Sequence, residues 1–393
     1  PLPVPPGDKL DITWMEGQAL PMAARVSRAQ SDPVCYQEFS DSWSTACGSR
    51  TPVMSDAPLR EELVESLEAA GVAAGAFCSW AHWEAELLAP HGGDAPQEFE
   101  SAVREATSRF LLHATELAGL GLSGWFDAVL LVDVCHYQGG CTLEDLPVVC
   151  AAVLSLLQKQ DTVERPRCGM PGLAREASAF ASWLRGLGHA GDRESDEVKV
   201  GDILTQERAV LTSLRWRLNM ASVHTWLEAL CTRFNVVSGG KLNSSIEWVL
   251  QEGIMSARAL VARQAATASL SPRRIATGLF CRGLVMARLM PLEALRPEKV
   301  SSAEWQTIFA GSQWQGAPQS CLMEPAQWEQ MHGVLQVTTG SSATGLQEDG
   351  FSIAVVMQKI IAKAHGGNKE KSLASHTRGV KEADSSRILY SCC

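Results

Sequence analysis

The chain has 393 residues, 46% of them apolar and 20% charged, with a formal net charge of -10. This is the composition of a globular protein with room for two or three domains, and abundant Ala and Leu favour helix. The acidic balance argues against a general nucleic-acid binder, and no run of about 18 apolar residues suggests a membrane span.

Residues 1–55 are rich in Pro, Ser and Asp without a sustained period, and read as a mostly disordered N-terminal segment. No signal peptide is visible, but the first residue is Pro1 rather than Met, so targeting stays open. Segment 56–95 reads as accessory helices. Asp56 can cap a helix from Pro58 to about Ala70, a second covers about 73–88, and His91-Gly-Gly-Asp94 breaks the chain. Arg60-Glu-Glu-Leu63 fits a minimal Arg-x-x-Leu degradation motif but falls inside the first of these helices. From Pro96 the apolar pattern predicts helices at about 96–118, 123–136, 142–159, 171–186, 199–215 and 222–234. A second series follows at about 243–268, 271–289, 301–310 and 325–336. The Thr/Gly/Ser/Asp tract 339–350 reads as a linker, 351–364 as an amphipathic helix, and 365–393 as a mobile tail. No strand alternation persists. The predicted fold class is all-α, with two successive helical domains at 96–235 and 236–338.

The helix from Leu146 to Leu157 is apolar nearly all round and is predicted to be the buried axis of its bundle. Arg104 and Asp133 are charges on otherwise apolar helices, and a mutual pair avoids burying either alone. Phe110, Trp216 and Trp226 read as core, with Trp216 set between Leu214 and Leu218. Lys159 ends the apolar helix, where the dipole favours a cation. Glu207 reads as lying early in its own helix, where a carboxylate is favoured.

The 12 cysteines are scattered through apolar segments and read as buried thiols in a reducing compartment, nuclear or cytoplasmic. Cys35 and Cys47, and Cys135-His136 with Cys141, lack paired Cys-x-x-Cys spacing, so no zinc site and no other cofactor is expected. No local signature supports a catalytic Cys–His pair, so no catalytic residue and no enzyme activity is expected.

Gln206-Glu-Arg-Ala-Val-Leu-Thr-Ser-Leu-Arg-Trp-Arg-Leu-Asn219, followed by Val223-His-Thr-Trp-Leu-Glu-Ala-Leu230, resembles the end of a cyclin box, a helical module that activates protein kinases. Upstream, Val148-Val-Cys-Ala-Ala-Val-Leu-Ser-Leu-Leu-Gln-Lys159 resembles the central box helix, and Ala128-Val-Leu-Leu-Val-Asp133 the second. Arg104 falls where the family has an arginine that pairs with that aspartate, and Phe110 at a tryptophan position. The resemblance implies that Lys159 and Glu207 lie together on the face that grips a cyclin-dependent-type kinase. There they would dock the kinase's mobile helix and select its active conformation. Ser269-Leu-Ser-Pro-Arg-Arg-Ile-Ala-Thr-Gly-Leu-Phe-Cys281 is similar, more loosely, to the third helix of a C-terminal box.

Two departures stand out. The connection from Lys159 to Glu207 is longer than the family's and includes Cys168-Gly-Met-Pro-Gly172 and Gly188-His-Ala-Gly-Asp-Arg-Glu-Ser-Asp-Glu197, beside the kinase-facing surface. Val103-Arg-Glu-Ala-Thr107 lacks the apolar anchors of the family's substrate-docking patch, so docking of Arg-x-Leu substrates is predicted to be weak or absent. The alternative reading is a kinase-independent adaptor that uses the same fold for other proteins or a transcription complex. Finally, a terminal Cys392-Cys393 resembles the doubly prenylated end of Rab-type GTPases, where two lipid chains anchor stably. Prenyl transfer to that ending needs a GTPase body that this chain lacks, so an unmodified ending is preferred to a lipid anchor.

Overall fold

The computed structural model describes residues 64–68, 70, 74–87, 101–139, 141–160, 168–186, 196–240, 242–263, 270–313 and 325–376. The expectations for 1–55, for 377–393 with Cys392 and Cys393, and for the stretches 161–167 and 187–195 of the long connection lie outside them. Among the described residues the chain is helical, with no strand. After a helical piece at 64–68 come α1 (Ala74–Leu87), α2 (Ser101–Ala118), α3 (Gly121–Tyr137), α4 (Leu146–Gln160), α5 (Met170–Gly186) and α6 (Val200–Ser213). They are followed by α7 (Val223–Val237), α8 (Asn243–Val261), α9 (Pro272–Met286), α10 (Ser302–Gly311), α11 (Pro325–Thr339) and α12 (Ala343–His376). No helix among the described residues is long and apolar enough to cross a membrane.

Two helices act as axes. Every residue of α4 from Leu146 to Leu157 is buried, and α2, α3, α5 and α6 pack around it. This follows from an apolar helix that has no polar face to give to water. Helix α9 plays the same part further on, packed by α7, α8 and α12. Its glycines set how close those neighbours come. A Cβ at Gly278 would lie 2.5 Å from Ile353 Cγ1 and 2.7 Å from the Asp349 carbonyl oxygen, and one at Gly283 would lie 2.7 Å from Val249 Cγ1.

Helix α7, at the end of the first expected domain, packs chiefly on α8, α9 and α11 and slightly on α3. Its apolar face is the reason. Trp226 and Phe234 are fully buried, and Phe234 meets Phe280 of α9 edge-on at 5.6 Å.

The expected linker 339–350 is a turn and the start of a helix. Gly340 takes a positive φ of 66° after α11, and its N–H donates to the Gln336 carbonyl. Ser342 Oγ then accepts from the Gly345 N–H at 3.1 Å, an N-cap that starts α12. Leu346, Ile353, Met357, Ile360 and Ile361 bury one face of α12, and Asp349 pairs with Arg274 of α9 at 2.7 Å. Of the predicted mobile tail, 365–376 continue this helix.

Arginines, with Arg104 and Arg233 buried and Arg273 half-buried, close the ends of α8 and α11. Arg104 of α2 forks onto the Asp133 carboxylate and also donates to the Val261 carbonyl at the end of α8, at 3.2 and 3.0 Å. Arg233 donates to the Val337 and Thr338 carbonyls, and Arg273 to Thr339, all in the last turn of α11. The last carbonyls of a helix have no partner within it, so a buried guanidinium meets acceptors that would otherwise be left dry.

Candidate functional site

Lys159 stands next to last in α4, with its stem running out from the buried axis. Its Nζ lies 2.6 Å from both carboxylate oxygens of Glu207 in α6. Glu207 is buried at 8% exposure, whereas the Lys159 side chain is 53% exposed, so the ammonium faces water on one side and the carboxylate on the other. Contrary to the expectation, Glu207 is not early in its helix. Helix α6 begins at Val200, and Asp202 is the acidic residue of its first turn, accepting from the Lys199 N–H at 2.9 Å. The macrodipole fades within the first turn, so Lys159, not the helix end, balances the Glu207 charge.

The other predicted pair also forms. Arg104 and Asp133 meet in a bidentate contact, with side-chain exposures of 3% and 14%. Burial pushes the Asp133 carboxyl up from its ordinary range, and Arg104 opposes that shift. This pair is part of the frame and not of an open surface. Trp226 is core as predicted, with its ring edge-on to Trp80 of α1 at 5.4 Å. Phe110 is half-buried and stacks on Phe180 of α5 at 4.5 Å.

Trp216 is not core; it is 70% exposed. The reason lies in how α6 ends. The Arg215 N–H donates to the Thr212 carbonyl at 3.0 Å, and the Trp216 N–H to Leu211 at 2.7 Å, the pattern of a Schellman ending. That ending needs a left-handed residue just past the helix, usually Gly. Here Arg215 and Trp216 supply it with φ of 49° and 62°. The turn swings Trp216 off the apolar stripe that Leu214 continues. Helices α2, α3 and α7 end on Gly119, Gly139 and Gly239 instead, each with positive φ.

Two exposed apolar side chains therefore lie along α6 and its end. Leu204, one turn before Glu207 on the same side of the helix, is 51% exposed, and Trp216 follows beyond. The Gln160 amide of α4 donates to the Asn219 side chain, which ties the end of α4 to the segment after Trp216. The surface thus holds a charged pair of which one half is buried, with the exposed Leu204 one turn away on α6 and Trp216 past the end of that helix. Leu204 and the exposure of Trp216 were missed from sequence. The absence of Gly after Leu214 was the available signal.

Cysteines 135, 141, 150, 231 and 281 are buried free thiols. Burial pushes the Cys135 thiol up to about 12, and those of Cys141, Cys150, Cys231 and Cys281 are raised as well. Thiols so disfavoured as thiolates are poor nucleophiles and poor metal ligands. No group of His, Cys, Asp and Glu among the described residues is arranged to hold a metal ion. No protein-family model and no curated protein matches this sequence.

Proposed function

We propose that the chain is a cyclin-like regulatory subunit, built from two helical boxes, that binds and activates a cyclin-dependent-type serine/threonine kinase. The observation that carries the reading is the Lys159–Glu207 contact, 2.6 Å from the ammonium to each oxygen, at the outer end of the buried axis α4. These two residues, separated by a long stretch of sequence, are the ones the cyclin resemblance assigns to the kinase-gripping face. The exposed Leu204, one turn from Glu207, and Trp216, past the end of α6, fit the same role. Interfaces draw most of their affinity from a few aromatic and apolar anchors around well-placed charges.

The activation follows from selection. A kinase helix that docks here is held where its glutamate can pair with the lysine that positions ATP phosphates. Binding energy spent on that arrangement shifts the kinase towards its active state, and the chain supplies no reacting group. The partner stands to lose Lys159 as an exposed cation and Trp216 as an anchor, while Glu207 acts mainly by holding Lys159.

The test is co-purification of kinases from the native cell with wild type, Lys159→Ala and Glu207→Ala. Each substitution is expected to weaken kinase binding by about 2 kcal/mol or more, roughly 30-fold in Kd. Unchanged kinase binding by both variants sinks the role of the pair. Recovery of other proteins with no kinase favours the adaptor reading.

A further inference from the structure

Helix α1 reaches this surface through Glu86. One oxygen of its carboxylate accepts from Arg215, and the other accepts from Arg217 at 2.5 Å. Those two arginines flank Trp216 on either side in the chain. The Arg217 guanidinium also lies over the Trp83 ring of α1, 5.4 Å from its centroid. The Arg217 hydrogen bond holds the Glu86 carboxyl below its ordinary value, and the charges of Arg217 and Arg215 add to this.

The turn needs such a hold. Two consecutive non-glycine residues in the left-handed region are costly, and they persist only where the surroundings fix them. Trp216 itself is mostly in water, so packing of its ring does not fix the turn. Restraints on it include the two Schellman hydrogen bonds, the Arg217 N–H donating to the Leu214 carbonyl at 2.9 Å, and the arginine contacts with Glu86. Helix α1 is in turn fastened elsewhere. Glu84 is buried, accepts from Trp226 Nε1 at 3.1 Å, and receives the Arg273 N–H at the start of α9 at 3.3 and 3.4 Å. Trp80 packs edge-on to the same Trp226.

From this geometry we infer that Glu86 is a positioning residue. It grips Arg215 and Arg217 and so presents Trp216 to the partner, which makes α1 a brace for the binding face. The inference rests on the proposed kinase face. It adds that affinity depends on a helix outside the two boxes, through a residue that need not touch the kinase.

The experiment uses the full chain carrying 5-fluorotryptophan, with the Trp216 fluorine line assigned by Trp216→Phe. It compares wild type, Glu86→Lys, and the swap Glu86→Lys with Arg217→Glu, and Lys159→Ala is run alongside for kinase affinity. Three quantities are read: the Trp216 line, hydrogen exchange of the 215–217 amides, and affinity for a purified cyclin-dependent-type kinase. Glu86→Lys is expected to shift the line, speed exchange by about tenfold, which corresponds to ~1.4 kcal/mol, and weaken kinase binding by a similar factor. The swap is expected to recover much of each. A line and exchange rates unchanged by Glu86→Lys overturn the brace, whatever the kinase does. A loosened turn with undiminished kinase affinity overturns the link between brace and partner. If Lys159→Ala also binds normally, the kinase face itself is wrong.

Discussion

At the scale of single residues, Trp216 and Lys159 define the difference between frame and surface. A tryptophan between two leucines reads as core because the pattern is a helical one, and the pattern holds only while the helix does. Helix α6 stops at Ser213, and the left-handed turn carries Trp216 outward to 70% exposure. Trp216→Gly is therefore expected to leave the melting temperature unchanged or slightly raised. Relief of about 1–2 kcal/mol of left-handed strain offsets the roughly 1 kcal/mol entropy cost of glycine. A thermal melt checks this. A drop corresponding to about 3–5 kcal/mol would mean that the ring is packed in a core after all. The two charge pairs were legible for different reasons. Arg104 and Asp133 sit on apolar helices, where burying one charge demands the other, whereas the pairing of Lys159 with Glu207 was implied by the cyclin resemblance alone, each residue by itself reading only as a helix-end charge. The second role of Arg104, donating to the Val261 carbonyl, left no trace in the sequence because it depends on where a distant helix ends.

At the scale of elements, most helices were legible from period alone. The errors sit where polar residues do local work. Ser341 and Ser342 belong to a linker by composition, yet Ser342 caps α12, so a 34-residue helix starts inside the expected loop. Helix α1 was read as an accessory helix, with no sign that its acidic residues bind elsewhere. Glu84 now connects α1 to the start of α9, and burial raises its carboxyl above the ordinary value despite bonds from Ser271, Arg273 and Trp226. A carboxyl raised in the folded state binds its proton more tightly there than in the unfolded chain. Its contribution to stability is then full below the unfolded value and is lost as pH rises through the folded one. Glu84→Gln keeps an oxygen for Trp226 and Arg273 and removes the buried charge, so it is expected to match wild type at about pH 5 and to equal or exceed it at about pH 7. Glu84→Ala removes the acceptor and is expected to cost about 1–3 kcal/mol. Melting curves of both variants across that range decide it. A Gln variant less stable than wild type by a gap that widens as pH rises would show that the ionised carboxylate is stabilising, against this account.

At the scale of the whole molecule, two helix groups each surround an apolar axis, α4 and α9. Helix α7 sits between neighbours, with Phe234 edge-on to Phe280 of α9 and Trp226 edge-on to Trp80 of α1. Buried guanidinium groups and α1 link the parts, with Arg104 reaching from α2 to the end of α8 and Glu84 from α1 to α9. In the proposed role this rigidity matters. A surface that selects one kinase conformation must not yield to the kinase, because binding that adapts to both states shifts neither. Binding energy, and not chemistry supplied by this chain, is then the whole of its contribution. Activation is read from the phosphotransfer rate of a purified cyclin-dependent-type kinase titrated with the full chain. A saturable rise of at least about a hundredfold, equivalent to ~2.8 kcal/mol, is expected, and Lys159→Ala is expected to reduce it. A rate that stays flat throughout the titration for every such kinase of the native cell would contradict the proposed activation.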